Sequence, residues 1–591
     1  MPVSCGSAAS PEFMRYKAAG ITYGPVMGEK ERNTAEQYAL AEEAAVNGAR
    51  LIVLTEAATT GYCWYDRAEL RPFVEPVPGP TTEHFGRLAR QYRCWIVLGL
   101  PEVDPVTDIF YNAAVLIGPD GIVGVHRKTH HFLGDPKWAR QGNLDHQVYP
   151  TPIGNIGMLI CMDSLFVETA RILGLRGADV IALPSNWLGE RTPSPFWLTR
   201  AFDNGCYVLV SERVGQERSI RFSGGTVLVN PDGATDCQLE EGSRIVYGEI
   251  DLSKARGKSF AHGGNKFLER RPGSYLELMH HTYLWDPLRF FKLYGNDPLP
   301  AGKTSRVSVA QVCPYCGDIA ANLAQIGKWA AQAAAEDSEL IVFPELMLTG
   351  LPRDPDQAGS LAESASGPSV DRLIDAAMKH NIHMIVGMVE RDHDKLYNMA
   401  ALISPKGLIG KYRKMHLSEH DRGWASPGDL GFGHFNIPVG RIGILIGHDA
   451  MFPEPGRVLA LRGVDLICCP SAVNAPRPHG LASPPDRHNP AHWHLWRTRG
   501  GENCCCLAFA NLVGAWPGGE PFFGRSGIFQ ANVFVANKEE VTLSETEEEL
   551  GTCTMDTSDP ASMVRHKDFI GMRLPHWYDA IIADRQPGTS W

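Results

Sequence analysis

Short runs of β-branched residues and leucine recur along the chain, and Ala-rich stretches such as Thr34 to Gly48 separate them. Several runs stop abruptly at a residue that can do chemistry. "ARLIVLTE" ends at Glu56, "GIVGVHRK" breaks its alternation at Lys128, and "IGMLICMDSLF" carries Cys161 near its tip. Turn residues such as Pro119-Asp120-Gly121 separate runs that read as hairpin strands. The pattern predicts an α/β fold with both helix-linked and hairpin-linked strands.

The pattern is written twice. "YNAAVLIGPDGIVGVHRKTH" from Tyr111 aligns without a gap with "YNMAALISPKGLIGKYRKMH" from Tyr397, an offset of 286 residues (397 − 111). The same offset carries "GMLICMDSLFVETARILGLRGADVIALPS" onto "GILIGHDAMFPEPGRVLALRGVDLICCPS". "RRPGSYL" near Arg270 likewise matches "RLPHWYD" near Arg573. A period this long is a duplicated domain, not a solenoid unit. We expect a first domain over residues 14–285, a linker over 286–304 containing "GNDPLPAGKT", and a second domain over 305–591.

Composition narrows the setting. The net charge of −11 and the absence of a Lys/Arg cluster argue against nucleic acid or an anionic membrane as partner. No apolar run reaches the roughly 18 residues of a spanning helix. The first residues, MPVSCGSAASPEF, lack the apolar core of a secretory signal and read as a cloning scar or a disordered arm. Fourteen cysteines sit mostly inside apolar runs, which fits a reducing cytoplasm better than a disulfide framework.

A thiol at the tip of a buried strand, facing a helix start, can be activated by that helix and lies near free backbone N–H groups. Taken alone, such a cysteine is more often a packing residue. Glu56 and Lys128 shift the balance, because a strand-end carboxylate and cation are costly unless paired or working. The second repeat keeps both as Glu345 and Lys414, and the spacing from lysine to strand tip is the same (161 − 128 and 447 − 414, both 33). Base, cation and nucleophile form a sensible catalytic set.

On "TEAATTGY", "HRKTHHF" and "CMDSLFVETAR" the chain resembles the nitrilase superfamily, the carbon–nitrogen hydrolases. The resemblance implies an αββα sandwich for each repeat and a Glu56–Lys128–Cys161 triad. It also implies the backbone N–H of Met162 as oxyanion donor, and an accessory carboxylate in the region of Asp135, with Asp421 in the second repeat. A solvated loop role for Asp135 is the alternative. Asn186 and Trp187, just past "DVIALPS", fall where a pocket wall is expected, with ordinary loop packing as the alternative. No cofactor or metal is implied, and no zinc-type ligand spacing appears.

Gly447 stands where Cys161 stands in the first repeat, so the second site (Glu345, Lys414, Gly447) lacks its nucleophile. His448 should point elsewhere, and Cys468 and Cys469 lie on the next strand. The second repeat also carries an insertion, "NAPRPHGLASPPDRHNPAHWHLW". Family members commonly pair through a helical face, so a tandem chain could form an internal four-layer αββα–αββα pseudo-dimer and assemble further. "CPYC" at Cys313 to Cys316 has dithiol spacing but lacks a thioredoxin-type context, and reads as a chance pair in a loop.

The resemblance implies hydrolysis of a carbon–nitrogen bond in a small molecule through a cysteine thioester. Cys161-Met162-Asp163 favours an amide over a nitrile, since nitrilases of the family usually show Cys-Trp-Glu. Nitrile or N-carbamoyl hydrolysis, acyl transfer to an amine and a non-catalytic scaffold are the alternatives.

Overall fold

The computed structural model describes residues 14–188, 193–238, 243–260, 263–281, 298–474, 494–515, 521–532 and 540–584. The arm before Met14, most of the linker and nearly all of the long insertion (475–493) lie outside the described residues.

Contacts divide the chain into two compact units. In the first, the strands in chain order are β1 (Arg15–Ile21), β2 (Ala49–Val53), β3 (Trp95–Val103), β4 (Phe110–Gly118), β5 (Gly121–Arg127), β6 (Val148–Thr151) and β7 (Gly154–Met158). They continue with β8 (Val180–Ser185), β9 (Tyr207–Glu212), β10 (Val214–Glu217), β11 (Ile220–Ser223), β12 (Val227–Val229), β13 (Thr235–Gln238) and β14 (Ile245–Asp251). One six-stranded sheet has the order β14-β1-β2-β3-β4-β5 and the other β13-β12-β9-β8-β7-β6, while β10 and β11 form a separate ribbon. Pairing is parallel through β1-β2-β3 and β7-β8-β9 and antiparallel in the β4–β5 hairpin, where the Asp120-Gly121 turn falls.

Helices cover the outer faces. Helix α1 (Lys30–Val46) buries Asn33, Gln37, Ala41, Ala44 and Ala45, one stripe at helical spacing, and α2 (Pro80–Tyr92) buries Phe85, Leu88 and Ala89. These join Ile52, Ile96, Leu98 and Val115 of the first sheet in one core. Emptying the Phe85 site by truncation to alanine would cost about 3–5 kcal/mol. On the second sheet lie α3 (Val167–Leu175) and α4 (Pro195–Asn204), whose residues are buried throughout. The inner faces of the sheets meet through β1, β2 and β3 against β8 and β9. The result is the expected αββα sandwich.

The second unit repeats this topology strand for strand. One sheet orders Glu549–Asp556, Thr304–Gln311, Leu340–Val342, His383–Asp392, Lys395–Ser404 and Gly407–Arg413; the other runs from His434–Ile437 to Val541–Thr542. Repeats and compact units do not share a boundary, however. Ser259 onward groups with the second unit, and Trp577–Trp591 groups with the first. Burial explains this: Arg270 pairs with Glu454 at 2.8 Å with both side chains 2% exposed, and Tyr275 bonds to His416. In the first unit the short helix Asp579–Ile582 packs on α3. A repeat found by alignment follows the chain, whereas a compact unit follows its contacts.

Candidate active site

Glu56 follows β2, Lys128 follows β5 and Cys161 follows β7, so the three fall together at one edge of the sandwich. In an open α/β sheet, the carboxyl ends of the strands are where side chains from many elements converge on a ligand. The segment past β2 stays beside β3 through Leu54 N–H to Val97 O and Ala58 N–H to Gly99 O, which fixes Glu56 between them. Lys128 is held by its N–H to Asn112 O and by Gly142 N–H to its own carbonyl.

Lys128 Nζ donates to Glu56 Oε1 and to Asp135 Oδ2, each at 2.8 Å, and all three side chains are 0% exposed. Asn112 Nδ2 bridges the same carboxylates, at 2.7 Å to Glu56 and 2.9 Å to Asp135. Tyr62 OH and Phe132 N–H complete the shell of Asp135 at 3.0 and 2.8 Å. Asp135 is therefore a buried partner of the lysine, and the solvated-loop alternative does not hold. Asn112 and Tyr62 escaped the sequence reading. A polar residue inside the apolar strand "FYNAAVLIG" was the available signal.

Charge states follow from this geometry. Burial alone would depress the Lys128 ammonium, but Asp135 and Glu56 together outweigh it and hold it well above the usual lysine range. Burial pushes the Glu56 carboxyl up, with Lys128 opposing the shift. Burial and the neighbouring Glu56 push the Cys161 thiol well above its usual value. The thiol thus sits in the field of a buried, directly paired carboxylate and lysine, and its neutral form is favoured.

Cys161 opens a 3-10 turn with φ 44, in the left-handed region. Its strain of about 1–2 kcal/mol is typical of a functional turn. Met162 follows it in the first turn, where backbone N–H groups lack intrahelical partners. The Asn186 N–H lies toward the Cys161 sulfur and works against that upward shift. In the orientation that satisfies its neighbours, the Asn186 side-chain amide donates to Ser185 O (3.1 Å) and Glu56 O (3.3 Å). The Trp187 ring packs edge-on against Trp197, with centroids 5.2 Å apart.

Behind the turn, Asp163 accepts from Ile160 N–H (3.1 Å), Thr129 N–H (3.1 Å) and His130 N–H (2.8 Å), and from His126 Nε2 (2.9 Å). It thus ties the residue before Cys161 to the two residues after Lys128. Burial opposes its charge, but His126 and His130 outweigh that and hold its pKa well below the usual range.

The second unit builds the same frame. Lys414 Nζ donates to Glu345 and Asp421, each at 2.6 Å, and Asn398 bridges the two at 2.7 and 2.9 Å. Gly447 has φ 42 at the same turn. Its N–H lies toward the sulfur of Cys469, but burial pushes that thiol up to about 12. His448 turns away to Glu269 Oε2 at 3.3 Å and packs against Phe452.

Among the described residues, no group of three or more His, Cys, Asp or Glu is arranged to hold a metal ion, and no helix is long and apolar enough to cross a membrane. Cys313 and Cys316 are separate thiols, Cys316 donating to Leu351 O at 3.3 Å.

The chain is similar to several known proteins. The family model described as "Carbon-nitrogen hydrolase" matches residues 17–258 and again 306–563. A nitrilase of Pyrococcus abyssi is 34% identical over 261 residues, spanning 44% of this chain and 98% of that protein. The human deaminated glutathione amidase is 30% identical over 295 residues, spanning 46% of this chain and 87% of its own. Among solved structures, a Saccharomyces cerevisiae member of branch 10 of the nitrilase superfamily matches at 25% identity and a TM-score of 0.38, covering 42% of this chain and 95% of that one. The chain thus belongs to the carbon–nitrogen hydrolase family of the nitrilase superfamily, with the family domain present twice.

Proposed function

We propose that the first unit hydrolyses an amide of a small molecule through a thioester on Cys161, and that the second unit does no such chemistry. The observation that carries this reading is Lys128 fixed between Glu56 and Asp135, beside a buried thiol at a strained turn.

The Cys161 S–H proton passes to the Glu56 carboxylate as the sulfur attacks the amide carbon. The developing oxyanion is stabilised by the Lys128 ammonium and the Met162 N–H. Glu56, now protonated, gives its proton to the nitrogen; the C–N bond breaks, and ammonia or an amine leaves. A water then loses a proton to Glu56 and attacks the thioester. The C–S bond breaks as the sulfur regains a proton from Glu56, releasing the carboxylic acid. Asp135 and Asn112 keep the lysine and the glutamate apart from solvent and in register.

Cys161-Met162-Asp163 supports an amide, and amidases occur among the relatives, including the (R)-stereoselective amidase of Pseudomonas sp., 29% identical with 82% of its length matched. The test is ammonia release over amides, N-carbamoyl compounds and nitriles, with the intact chain beside Cys161→Ala. Release from amides that the mutation abolishes supports the reading. Release confined to nitriles or carbamoyl compounds replaces the amide, and equal negligible release from both proteins overturns hydrolysis.

A further inference from the structure

A third carboxyl group stands next to the nucleophile, and the mechanism does not use it. Glu212 is the last residue of β9 and is fully buried. Its Oε1 accepts the N–H groups of Trp187 and, at 3.1 Å, of Arg213. Its Oε2 is buried; the hydroxyl of Ser185 favours the charged form of the carboxyl group but makes no hydrogen bond of good geometry to it, and burial outweighs that influence. Ser185 is its cross-strand partner on β8, and Glu56 and Cys161 face it from the ends of β2 and β7. The nearest cation in sequence, Arg213, is committed to Glu217 at 2.9 Å. An ionised carboxylate there would meet a carboxylate and a thiol, and among the described residues no cation forms an ion pair with it, which a buried anion does not tolerate.

The second unit shows what the position needs. At the matching end of strand Cys506–Asn511, paired with Ser471 as Glu212 is with Ser185, stands the neutral amide of Asn511. Its Oδ1 accepts Val473 N–H at 2.8 Å, while its Nδ2 donates to Gly524 O at 2.9 Å and Val473 O at 3.2 Å. One oxygen accepts and the other arm donates. A carboxyl group reproduces that division only with a proton on its second oxygen.

We propose that Glu212 is a positioning residue carried as the neutral acid, the functional equivalent of the Asn511 amide. It holds the Asn186–Trp187 turn so that the Asn186 N–H meets the Cys161 sulfur. The chain of contacts runs from Glu212 to Trp187 N–H, and from the adjoining Asn186 N–H to the thiol. Burial supplies the energy that keeps the proton, pushing the Glu212 carboxyl well above its ordinary value. The consequence for Cys161 rests on its reading as the nucleophile; the protonation state does not.

The test therefore begins with readouts that need no substrate. A carboxyl whose pKa is raised on folding lowers stability as pH climbs from its unfolded value toward its folded one. Melting temperatures of the intact chain and Glu212→Gln should therefore diverge from pH 5 to pH 9, with the variant gaining. The infrared C=O stretch of a protonated carboxylic acid should be present in the intact chain, lost in Glu212→Gln and retained in Glu56→Gln. Alkylation of Cys161, followed by mass spectrometry of its peptide, should slow about tenfold in Glu212→Ala and recover in Glu212→Gln. A Glu212→Gln chain whose melting temperature changes with pH just as the intact chain's does, or whose infrared band is undiminished, overturns the neutral acid. Failure of glutamine to rescue alkylation overturns the positioning role. Either result leaves the hydrolase reading standing, and absence of hydrolysis leaves both readouts intact.

Discussion

A Cβ placed on Gly447 would lie 2.5 Å from Oε2 of Glu345. The glutamate of the second unit has settled into the space that the cysteine occupies in the first. Its frame of lysine, two carboxylates and asparagine is nevertheless retained, because each buried charge there needs the others. Removing one partner from such a cluster strands a charge, whereas removing the thiol strands nothing. The left-handed turn also favours glycine, so losing the side chain relieved strain at that corner.

Restoring the thiol should therefore not restore a second active site. Gly447→Cys must displace Glu345 and occupy φ 42, and we expect it to destabilise the chain by about 2–4 kcal/mol. Combined with Cys161→Ala, it should release no ammonia. Thermal melting and an ammonia assay of the double variant check both statements.

Asp135→Ala should destabilise by about 3–5 kcal/mol, since it leaves Lys128 buried with one carboxylate in place of two. Denaturant unfolding measures the loss. Asp135→Asn, which keeps the contacts to Tyr62 and Phe132 but not the charge, should lose less stability while still impairing turnover.

The activity should fall on the acid side through protonation of Glu56. Burial raises that carboxyl above its ordinary value of 4.5, so the limb of kcat/KM lies above pH 4.5 and activity is lost as pH falls through it. Glu56→Gln should abolish turnover at every pH. A pH–rate profile with the Cys161-dependent substrate tests the position of the limb.

Asp163 works in the opposite sense. Its folded pKa lies well below 3.8, so its contribution to stability is present above 3.8 and is lost as pH falls through the folded value. Asp163→Asn should cost about 2–4 kcal/mol at pH 7 and progressively less below pH 3.8. Unfolding curves at several pH values separate this from a pH-independent packing loss.

Residues 14–290 expressed alone should not yield a soluble, active protein. That fragment lacks Asp579–Ile582, which packs on α3, and retains a tail beginning at Ser259 whose partners Glu454 and His416 are gone. Solubility and ammonia release of the fragment decide the matter.

Much of this architecture was legible in the sequence. Glu56, Lys128 and Cys161 announced themselves by interrupting apolar runs, and the repeat made Gly447 conspicuous by contrast. Other members of the site stayed hidden for a geometric reason. Asn112 sits in mid-strand and Tyr62 in a loop, and they reach Asp135 only once the first sheet and its loops have closed around it. Glu212 gave the same strand-end signal as Glu56, in "VLVSER", yet its partner Asn511 is not a carboxylate, so the comparison of repeats passed over it. The exchange of tails was illegible because alignment reports ancestry along the chain and not which surfaces are buried.

That exchange bears on how the protein is made. The first unit includes a helix encoded more than 300 residues after the rest of it. While the ribosome is still translating the second repeat, the first sandwich has its sheets but not this final piece, and the apolar surface of α3 that receives it stays open. Completion of the first unit therefore waits until the second repeat has been translated, and the interval in which that surface is uncovered is set by the speed of translation, not by the folding rate of the domain itself.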